Sequence, residues 1–516
     1  TQYAHFANAD MKYHFMFEFL AGNLEFLGLR LDIAFNFPSI MGMVSAYLLL
    51  FAFAVRLTKS RLAAFIATLL FTFRSSFSVF KFMAEQPKGR LWDAIKNISN
   101  FIGYTEHEDW GLWNLNVYAN QRHLAFSLAI LLFALMVFHP YVYAMDRKMK
   151  SLFEDRKFNF ILFFKNFFLT RTAFGVKNIK FSVGMGLVLG SIAFWNGSVL
   201  IATMSMLFFM AAVSDYRLDY LIAAVIALVL GLLQSHFFIT GSAVYPEYFF
   251  GFLAENKNFF GVLVYIFELT GIVILLAFIT FLKKKRSGKY MLFVFFVPTV
   301  LAFTVSLIKT NNTAYYIAVN HKWIMMTLML ISIYAAELLA ELFEKKDFWC
   351  RLAALLLTFI LTATGVFDLH TVIVRNKYPI TYAWDDPVTK WVEENATCKD
   401  IFLVPQYSLN RLTIGGAMLF YGWPYYSTSA GYETEPREFA MIAMYEAPSV
   451  EILQNYTAYY GIRYIVVDRD ARECNLFRVR EDIISQAFEC VYAQDEGTDW
   501  SFKIYDTDKP LNRASD

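Results

Sequence analysis

Charge is what this sequence has least of. Only 17% of its residues are Asp, Glu, Lys or Arg, against roughly 25% in ordinary soluble domains, and 57% are hydrophobic, which excludes a soluble enzyme. Net charge is lacking as well: 46 basic residues nearly cancel 44 acidic ones to leave +2. No global field therefore steers the chain towards nucleic acid or another polyanion. Cysteine is rare. Of the four present, Cys350 flanks an apolar run, while Cys398, Cys474 and Cys490 fall in the polar C-terminal region at no zinc or haem spacing. A disulfide among the last three is open. Long-period repeats, low-complexity linkers and a basic, apolar signal ahead of the first polar stretch are also missing.

What the sequence does have is apolar length. A helix crossing the hydrocarbon core needs about 20 apolar residues at 1.5 Å each, and about ten such runs occur. They cover Ser39 to Val55, Ala63 to Phe80, Leu124 to Ala144, Phe181 to Trp195, Gly197 to Ser214, Leu218 to Ile239, Phe259 to Leu282, Tyr290 to Ile308, Lys322 to Leu342 and Arg351 to Leu369. The fourth is short and interrupted by Gly184, Gly186 and Gly190. Basic residues gather in alternate connections: Arg56, Lys59 and Arg61; Arg147 to Lys157; Arg171 to Lys180; Lys283 to Lys289. The excess of Lys and Arg in cytoplasmic loops puts these inside. Residues 1–38, 81–123, 240–258, 309–321 and 370–516 are then expected outside, and an outside start implies a span before Thr1. Phe158 to Thr170 is too short to cross and has basic flanks, so it is expected to lie in the cytoplasmic interface.

After Leu369 the composition turns polar. The runs Asp400 to Pro405, Arg463 to Asp468 and Phe502 to Asp506 predict strands, and Asp386 to Glu394, Pro436 to Tyr445 and Ser449 to Tyr460 predict helices. Alternation of the two suggests a small α/β domain, large enough at about 140 residues to bury its own core. The expected architecture is an α-helical polytopic membrane domain over 1–369, with outer loops 1–38 and 81–123, and an extracytoplasmic soluble α/β domain over 370–516.

Polar residues in the outer loops are the candidates for chemistry. Asp10 and His14, four apart, share a face if that segment is helical, and could bind a cation or handle a proton; the bland reading is that Asp10 caps a short interfacial helix. Glu106, His107, Glu108 and Asp109 sit together, and a carboxylate cluster can hold a divalent cation, Mg2+ or Mn2+. Arg122 and His123 follow at the mouth of the next span, where Arg122 offers a fork to phosphate. The alternative is that the acids only solvate a loop, Arg122 snorkels, and Trp110, Trp113 and Tyr118 form an interfacial belt. His321 and Lys322 stand at another span mouth. Trp110, Trp423, Tyr425, Tyr426 and Arg437 are candidates for sugar contact, since aromatic rings suit the apolar faces of sugars. Packing of the Trp423 region against the rest of the chain is at least as good a reading.

The segments DMKYHF, LGLRLDIAFNFPSI, NVYANQRHLAF and GWPYYSTSAGY, with their order along the chain, resemble the GT-C superfamily of membrane glycosyltransferases. That superfamily includes protein mannosyltransferases, lipid A aminoarabinose transferases and oligosaccharyltransferase catalytic subunits. The resemblance implies transfer of a sugar from a polyprenyl-phosphate donor to a glycan, lipid or protein acceptor in the cell envelope. It implies Asp10 as the base, Arg122, His123 and Lys322 at the donor phosphate, and Asp10 with Glu106, Glu108 and Asp109 as positions for a divalent cation, to which the spacing from Asp10 adds His14. The chain departs from the pattern in having no Asp-Glu pair at Asp10 and no WWDYG, so neither acceptor nor metal dependence carries over. A lipid or polysaccharide transporter and a non-catalytic glycan-binding scaffold are the alternatives.

Overall fold

A computed structural model describes residues 2–12, 14–98, 100–105, 108, 122–154, 157–238, 244–248, 250–284, 286–309, 316–375, 383, 385–407, 410–429 and 431–511. The chain divides into two compact units, Thr1–Tyr13 with Phe238–Ala243 and Pro379–Asp516, and His14–Phe237 with Val244–Tyr378.

The second unit is almost entirely helical. In chain order it contains α1 (Met16–Phe26), α2 (Leu31–Thr58), α3 (Arg61–Thr72), α4 (Ser78–Glu85), α5 (Leu91–Lys96), α6 (Arg122–Leu152), α7 (Phe160–Phe168), α8 (Ile179–Trp195), α9 (Gly197–Ala212), α10 (Arg217–Phe237), α11 (Phe259–Thr270), α12 (Val273–Lys283), α13 (Arg286–Thr304), α14 (Tyr316–Glu344) and α15 (Phe348–Arg375). Strands Val244–Tyr248 and Val305–Lys309 pair antiparallel. Polar side chains punctuate this apolar sequence. Asn196 alone separates α8 from α9, its Oδ1 accepting from the backbone N–H groups of Ser198 and Val199 at 3.1 and 3.3 Å, and Ser60 caps α3 through Ala63 N at 3.1 Å.

Five of these helices are long and apolar enough to cross a membrane: α2, α6, α10, residues Asn320–Glu344 of α14 and Phe348–Val374 of α15. A sixth span results if α11 and α12 count as one, although they meet at 107°. The shorter apolar helices are α3, α8, α9 and Gly288–Thr304. Exposed apolar side chains run along α2 (Phe37, Ile40, Val44, Leu48) and α10 (Leu221, Val225, Leu228, Leu232), surfaces that suit lipid and not water. The chain is thus a multi-pass membrane protein. Helix α14 is its centre: 89% of its apolar window is buried, against 28% for α2, α10 and α15.

Two expected spans are broken. The run from Ala63 to Phe80 stops at Thr72, passes through an extended Phe73, and resumes at Ser78, where the backbone N–H donates to Ser76 Oγ at 3.0 Å. The run from Phe259 to Leu282 bends at Gly271, whose φ of +63° is open to glycine without strain. A Cβ there would come 3.0 Å from Ser75 Oγ, so the two breaks touch. The run expected to continue to Ile308 leaves the helix at Thr304 and becomes a strand. Helix α7 occupies the stretch judged too short to span.

Two of the three glycines that interrupt the fourth run are a packing device. Gly186 and Gly190, four apart, face Ala223 and Ala227 of α10, and small residues at this spacing let two helices approach closely. A Cβ on Gly186 would lie 2.7 Å from Ile226 Cβ and 3.0 Å from the Ala223 carbonyl oxygen, whereas one on Gly184 meets nothing within 4 Å. Gly186→Val is expected to destabilise by about 1–3 kcal/mol, read as a lower thermal midpoint in detergent. Gly184→Ala should leave the midpoint unchanged or raise it.

The first unit holds a five-stranded sheet in the order Met418–Leu419, Ile401–Leu403, Ile462–Val467, Phe502–Pro510, Phe488–Gln494, the first three parallel and the last two antiparallel to their neighbours. Strand Ile462–Val467 is buried on both faces, with the period of two that side-chain alternation dictates. Ile465 and Val467 pack with Met441 and Tyr445, while Tyr464 and Val466 pack with Val388, Val392 and Leu412. All three expected helices form, as Pro387–Asn395, Glu435–Tyr445 and Val450–Tyr460. Residues Gln2–Tyr3 and Phe6–Asp10 make a short hairpin in the same unit, tied on by Leu419 N to Ala4 O and Gly422 N to His5 O at 2.8 and 2.9 Å. The four cysteines are free thiols, so the disulfide left open among the last three is not formed.

Candidate functional site

In the helical unit three of the nominated polar residues, His14, His123 and Lys322, come together at the start of α6. His14, on the segment before α1, places its Nε2 2.7 Å from Nε2 of His123, with the rings edge to face at 4.2 Å. At that distance one nitrogen donates and the other accepts, so at least one ring is neutral. Lys322, buried on α14, lies within electrostatic reach of His123. Its helix is held there on both sides. Asn320 Nδ2 donates to the carbonyls of Ala302 and Val305 at 2.7 and 2.8 Å, and Trp323 Nε1 donates to Ser198 O at 2.9 Å. Arg122 precedes His123 but is anchored towards α2, where Nη1 donates to Asn36 Oδ1 at 2.5 Å and the guanidinium stacks 4.8 Å from the Phe35 ring. A buried ammonium beside two imidazoles makes a region that favours an anion, with the Arg122 guanidinium turned towards α2.

Glu108 does something other than expected. Nominated for a metal, it is 1% exposed and both its oxygens are taken by its own chain. Oε1 accepts from Arg74 Nη1 at 3.2 Å and from the hydroxyls of Ser76 and Ser78, and Oε2 accepts from the N–H groups of Tyr104 and Thr105 at 2.9 and 3.1 Å. Arg74 is equally committed, donating through Nε to Asp368 Oδ2 at 2.5 Å, and through Nη2 to Asp368 Oδ1 at 3.2 Å and Ile102 O at 2.7 Å. Arg74 and Asp368 went unnoticed as a pair in the sequence. The available signal was that each is ionisable within or at the end of an apolar run.

Glu106, Asp109 and Trp110 lie outside the described residues. Among the described residues no group of three or more His, Cys, Asp or Glu side chains could hold a metal ion. Mg2+ and Mn2+ take oxygen-rich shells and imidazole pairs suit softer ions, so these residues alone do not fit the expected cation.

Asp10 and His14 do not share a helix face. Asp10 ends the strand Phe6–Asp10, and α1 starts only at Met16. The extended course follows from its partners: Phe6 and Ala7 are buried in the core of the first unit, and the Asp10 carbonyl accepts from the Tyr432 hydroxyl at 2.7 Å. Burial, with the Asp10 charge adding to it, pushes the Tyr432 phenol up to about 12. The Asp10 residue itself is exposed.

The aromatic candidates of that unit separate into two groups. Trp423 and Tyr426 stack at 5.7 Å, Tyr407 meets Trp423 edge-on at 5.2 Å, and Tyr425 lies 5.9 Å from Tyr426. Tyr407, Tyr425 and Tyr426 are exposed, which makes a platform; sequence reading missed Tyr407, for which no local pattern existed. Trp423 holds φ +38° and donates its backbone N–H to Gln406 O at 2.8 Å. Arg437, grouped with these as a sugar contact, is spent elsewhere. Its guanidinium stacks 3.7 Å from the Phe6 ring and donates to Phe420 O at 2.7 Å, and burial pulls it down to about 10.

Fold and site together define a multi-pass, mostly helical membrane protein with a C-terminal sheet domain. No protein-family model matches the chain, and no curated protein does. It is similar to solved structures of the oligosaccharyltransferase of Archaeoglobus fulgidus. The form tethered to an acceptor peptide containing the NVT sequon aligns with 99% of this chain and 67% of its own, at 13% identity and a TM-score of 0.41. The complex with Zn and sulfate gives 99%, 66%, 13% and 0.41. The archaeal oligosaccharyltransferase AglB in complex with an inhibitory peptide and a dolichol-phosphate gives 97%, 67%, 14% and 0.38.

Proposed function

We propose that the chain is a membrane glycosyltransferase that moves a sugar from a polyprenyl-phosphate donor to an acceptor on the outer face, with inversion. The observation that carries this reading is the anion-favouring group of His14, His123 and Lys322, with Arg122 next to His123 in the chain, in an otherwise apolar helical unit. A donor with an isoprenoid tail and a charged phosphate needs that combination of apolar helices and one cationic polar region. The sequence resemblance around DMKYHF and NVYANQRHLAF nominates the same residues.

In the proposed reaction the acceptor hydroxyl gives its proton to the Asp10 carboxylate as its oxygen bonds to the anomeric carbon. The bond from that carbon to the phosphate oxygen breaks on the opposite side, and polyprenyl phosphate leaves with the electron pair. Lys322 and Arg122 stabilise the charge that develops there, in surroundings whose low dielectric strengthens the interaction. The residues 370–516 are proposed to lie outside, and their Tyr407, Trp423 and Tyr426 platform to steady a glycan or glycosylated acceptor.

Lys322→Met is expected to raise the donor KM about 10- to 100-fold, the scale of one charge-assisted hydrogen bond. The check is turnover of radiolabelled polyprenyl-phosphate sugar by the purified chain in liposomes. Donor consumption supports the transferase. Movement of donor without consumption would replace it with a transporter, and binding alone with a glycan-binding scaffold.

A further inference from the structure

A polar cavity lies in the helical unit, among residues that play no part in the site above. It has a volume of about 540 Å³ and is lined by the C-terminal ends of α2 and α12, the middle of α6 around Pro140, the Lys284 connection, Gly288 near the start of α13 and one face of α14. We propose that it binds the phosphate of an anionic membrane lipid whose headgroup carries hydroxyls. This reading does not depend on the glycosyltransferase assignment.

The charge balance of the cavity comes first. Four cations line it, Arg56, Lys59, Lys283 and Lys284, against two carboxylates, Glu337 and Glu341. Lys284 pairs with Glu337 at 2.5 Å and Lys283 with Glu341 at 3.1 Å. Arg56 and Lys59 have no carboxylate within ion-pair distance among the described residues. Two like charges held three residues apart at the end of an apolar helix repel each other unless an anion joins them.

Arg56 is also held in place for that purpose. Pro140 lies inside α6 and has no N–H, so the carbonyl of Met136, four residues earlier, has no helical partner. Arg56 Nη1 donates to that carbonyl at 3.0 Å. One of five guanidinium donors thus fixes the group across from α2 to α6, and a planar fork is the donor best matched to phosphate. Lys59 closes α2 in the left-handed region at φ +62°, which turns the chain at the cavity rim.

Two further observations favour a lipid over a free anion. Leu57, Pro140 and Ile333 line the cavity, and Tyr143, Ile279 and Leu282 are exposed on the same helices, so alkyl chains have an apolar surface beside the cations. Glu337 also lines the cavity, and its Oε2 is buried with no hydrogen-bond partner among the described residues. A carboxylate oxygen in that position accepts from a hydroxyl, which a glycerol or inositol headgroup supplies and choline does not. Basic pockets between helix ends are recognised sites for acidic lipid headgroups.

Native mass spectrometry of the purified, delipidated full chain tests this. With equimolar phosphatidylglycerol and phosphatidylcholine, the chain is expected to retain phosphatidylglycerol at least about tenfold better. Arg56→Gln with Lys59→Asn should reduce that retention roughly thirtyfold, at about 1 kcal/mol per cation. Because Arg56 also bonds Met136, Lys59→Asn alone is the second variant; asparagine tolerates positive φ. It should lose about fivefold with an unchanged thermal midpoint. Equal retention of the two lipids, or undiminished phosphatidylglycerol on Lys59→Asn, overturns the proposal. Displacement of the lipid by millimolar inorganic phosphate overturns it in favour of a free-anion site.

Discussion

Asp10→Asn is expected to lower turnover of the labelled donor by about 10²- to 10⁴-fold, the range that a positioned general base contributes. The fold should survive. Asp10 contributes its backbone carbonyl to the Tyr432 hydroxyl, and asparagine keeps that carbonyl. Asparagine is also near-isosteric at an exposed strand end. The donor KM should move little, because Asp10 is assigned to the acceptor proton and Lys322 to the donor phosphate. Turnover within threefold of the unaltered chain would remove Asp10 from the mechanism. A collapse of the thermal midpoint in parallel with turnover would make its role structural.

The largest effect on stability is expected at Arg74. Its side chain is 2% exposed and is shared between Glu108, 1% exposed, and Asp368, fully buried. Removing one partner of a buried ion pair leaves an uncompensated charge and typically costs about 3–5 kcal/mol. Arg74→Met strands two carboxylates at once, so a loss at or above the upper end of that range is expected, seen as a sharply lower thermal midpoint and a poor yield of monodisperse protein. Asp368→Asn should cost much less, since it leaves one guanidinium facing one carboxylate. Equal losses in the two variants would show that packing, not charge balance, holds this centre. Arg74→Lys should fall between them, because an ammonium keeps the charge but cannot fork onto Asp368 while reaching Ile102.

How much of this was legible follows from how local each cause is. Unbroken apolar length is a local property, and α2, α6, α10, α14 and α15 lie where the runs predicted them. The broken runs needed more. Arg74, Ser75 and Ser76 in mid-run, and Gly271 in the other, were visible as residues, but the reason the helix gives way is that the two breaks meet and that Glu108 collects Ser76, Ser78 and Arg74. In the C-terminal region the expected strands around Ile401, Ile462 and Phe502 formed because their alternation or apolar run is self-contained. The two-residue strand Met418–Leu419 and the half-exposed strand Phe488–Gln494 depend on neighbours for their pairing and gave no signal of their own.

The candidate site shows the same division. His14 and His123 were both nominated, yet their hydrogen bond joins positions 109 residues apart, and no spacing rule reaches that far. The four-residue interval from Asp10 to His14 misled because it is equally compatible with a strand that ends between them. What decides for the strand is the burial of Phe6 under Arg437 and the Tyr432 hydroxyl on the Asp10 carbonyl, contacts more than 400 residues away in sequence.

The Arg74 centre also carries a timetable. Asp368 lies 294 residues after Arg74, and at about 5–20 residues per second of synthesis it emerges roughly 15–60 s later. Glu108 follows by only 34 residues, or about 2–7 s. Synthesis order therefore makes Glu108 available to the guanidinium first, and Asp368 only when the last long helix is made. An arginine made early in an apolar run is thus followed within seconds of synthesis by one carboxylate able to pair with it, and much later by the other.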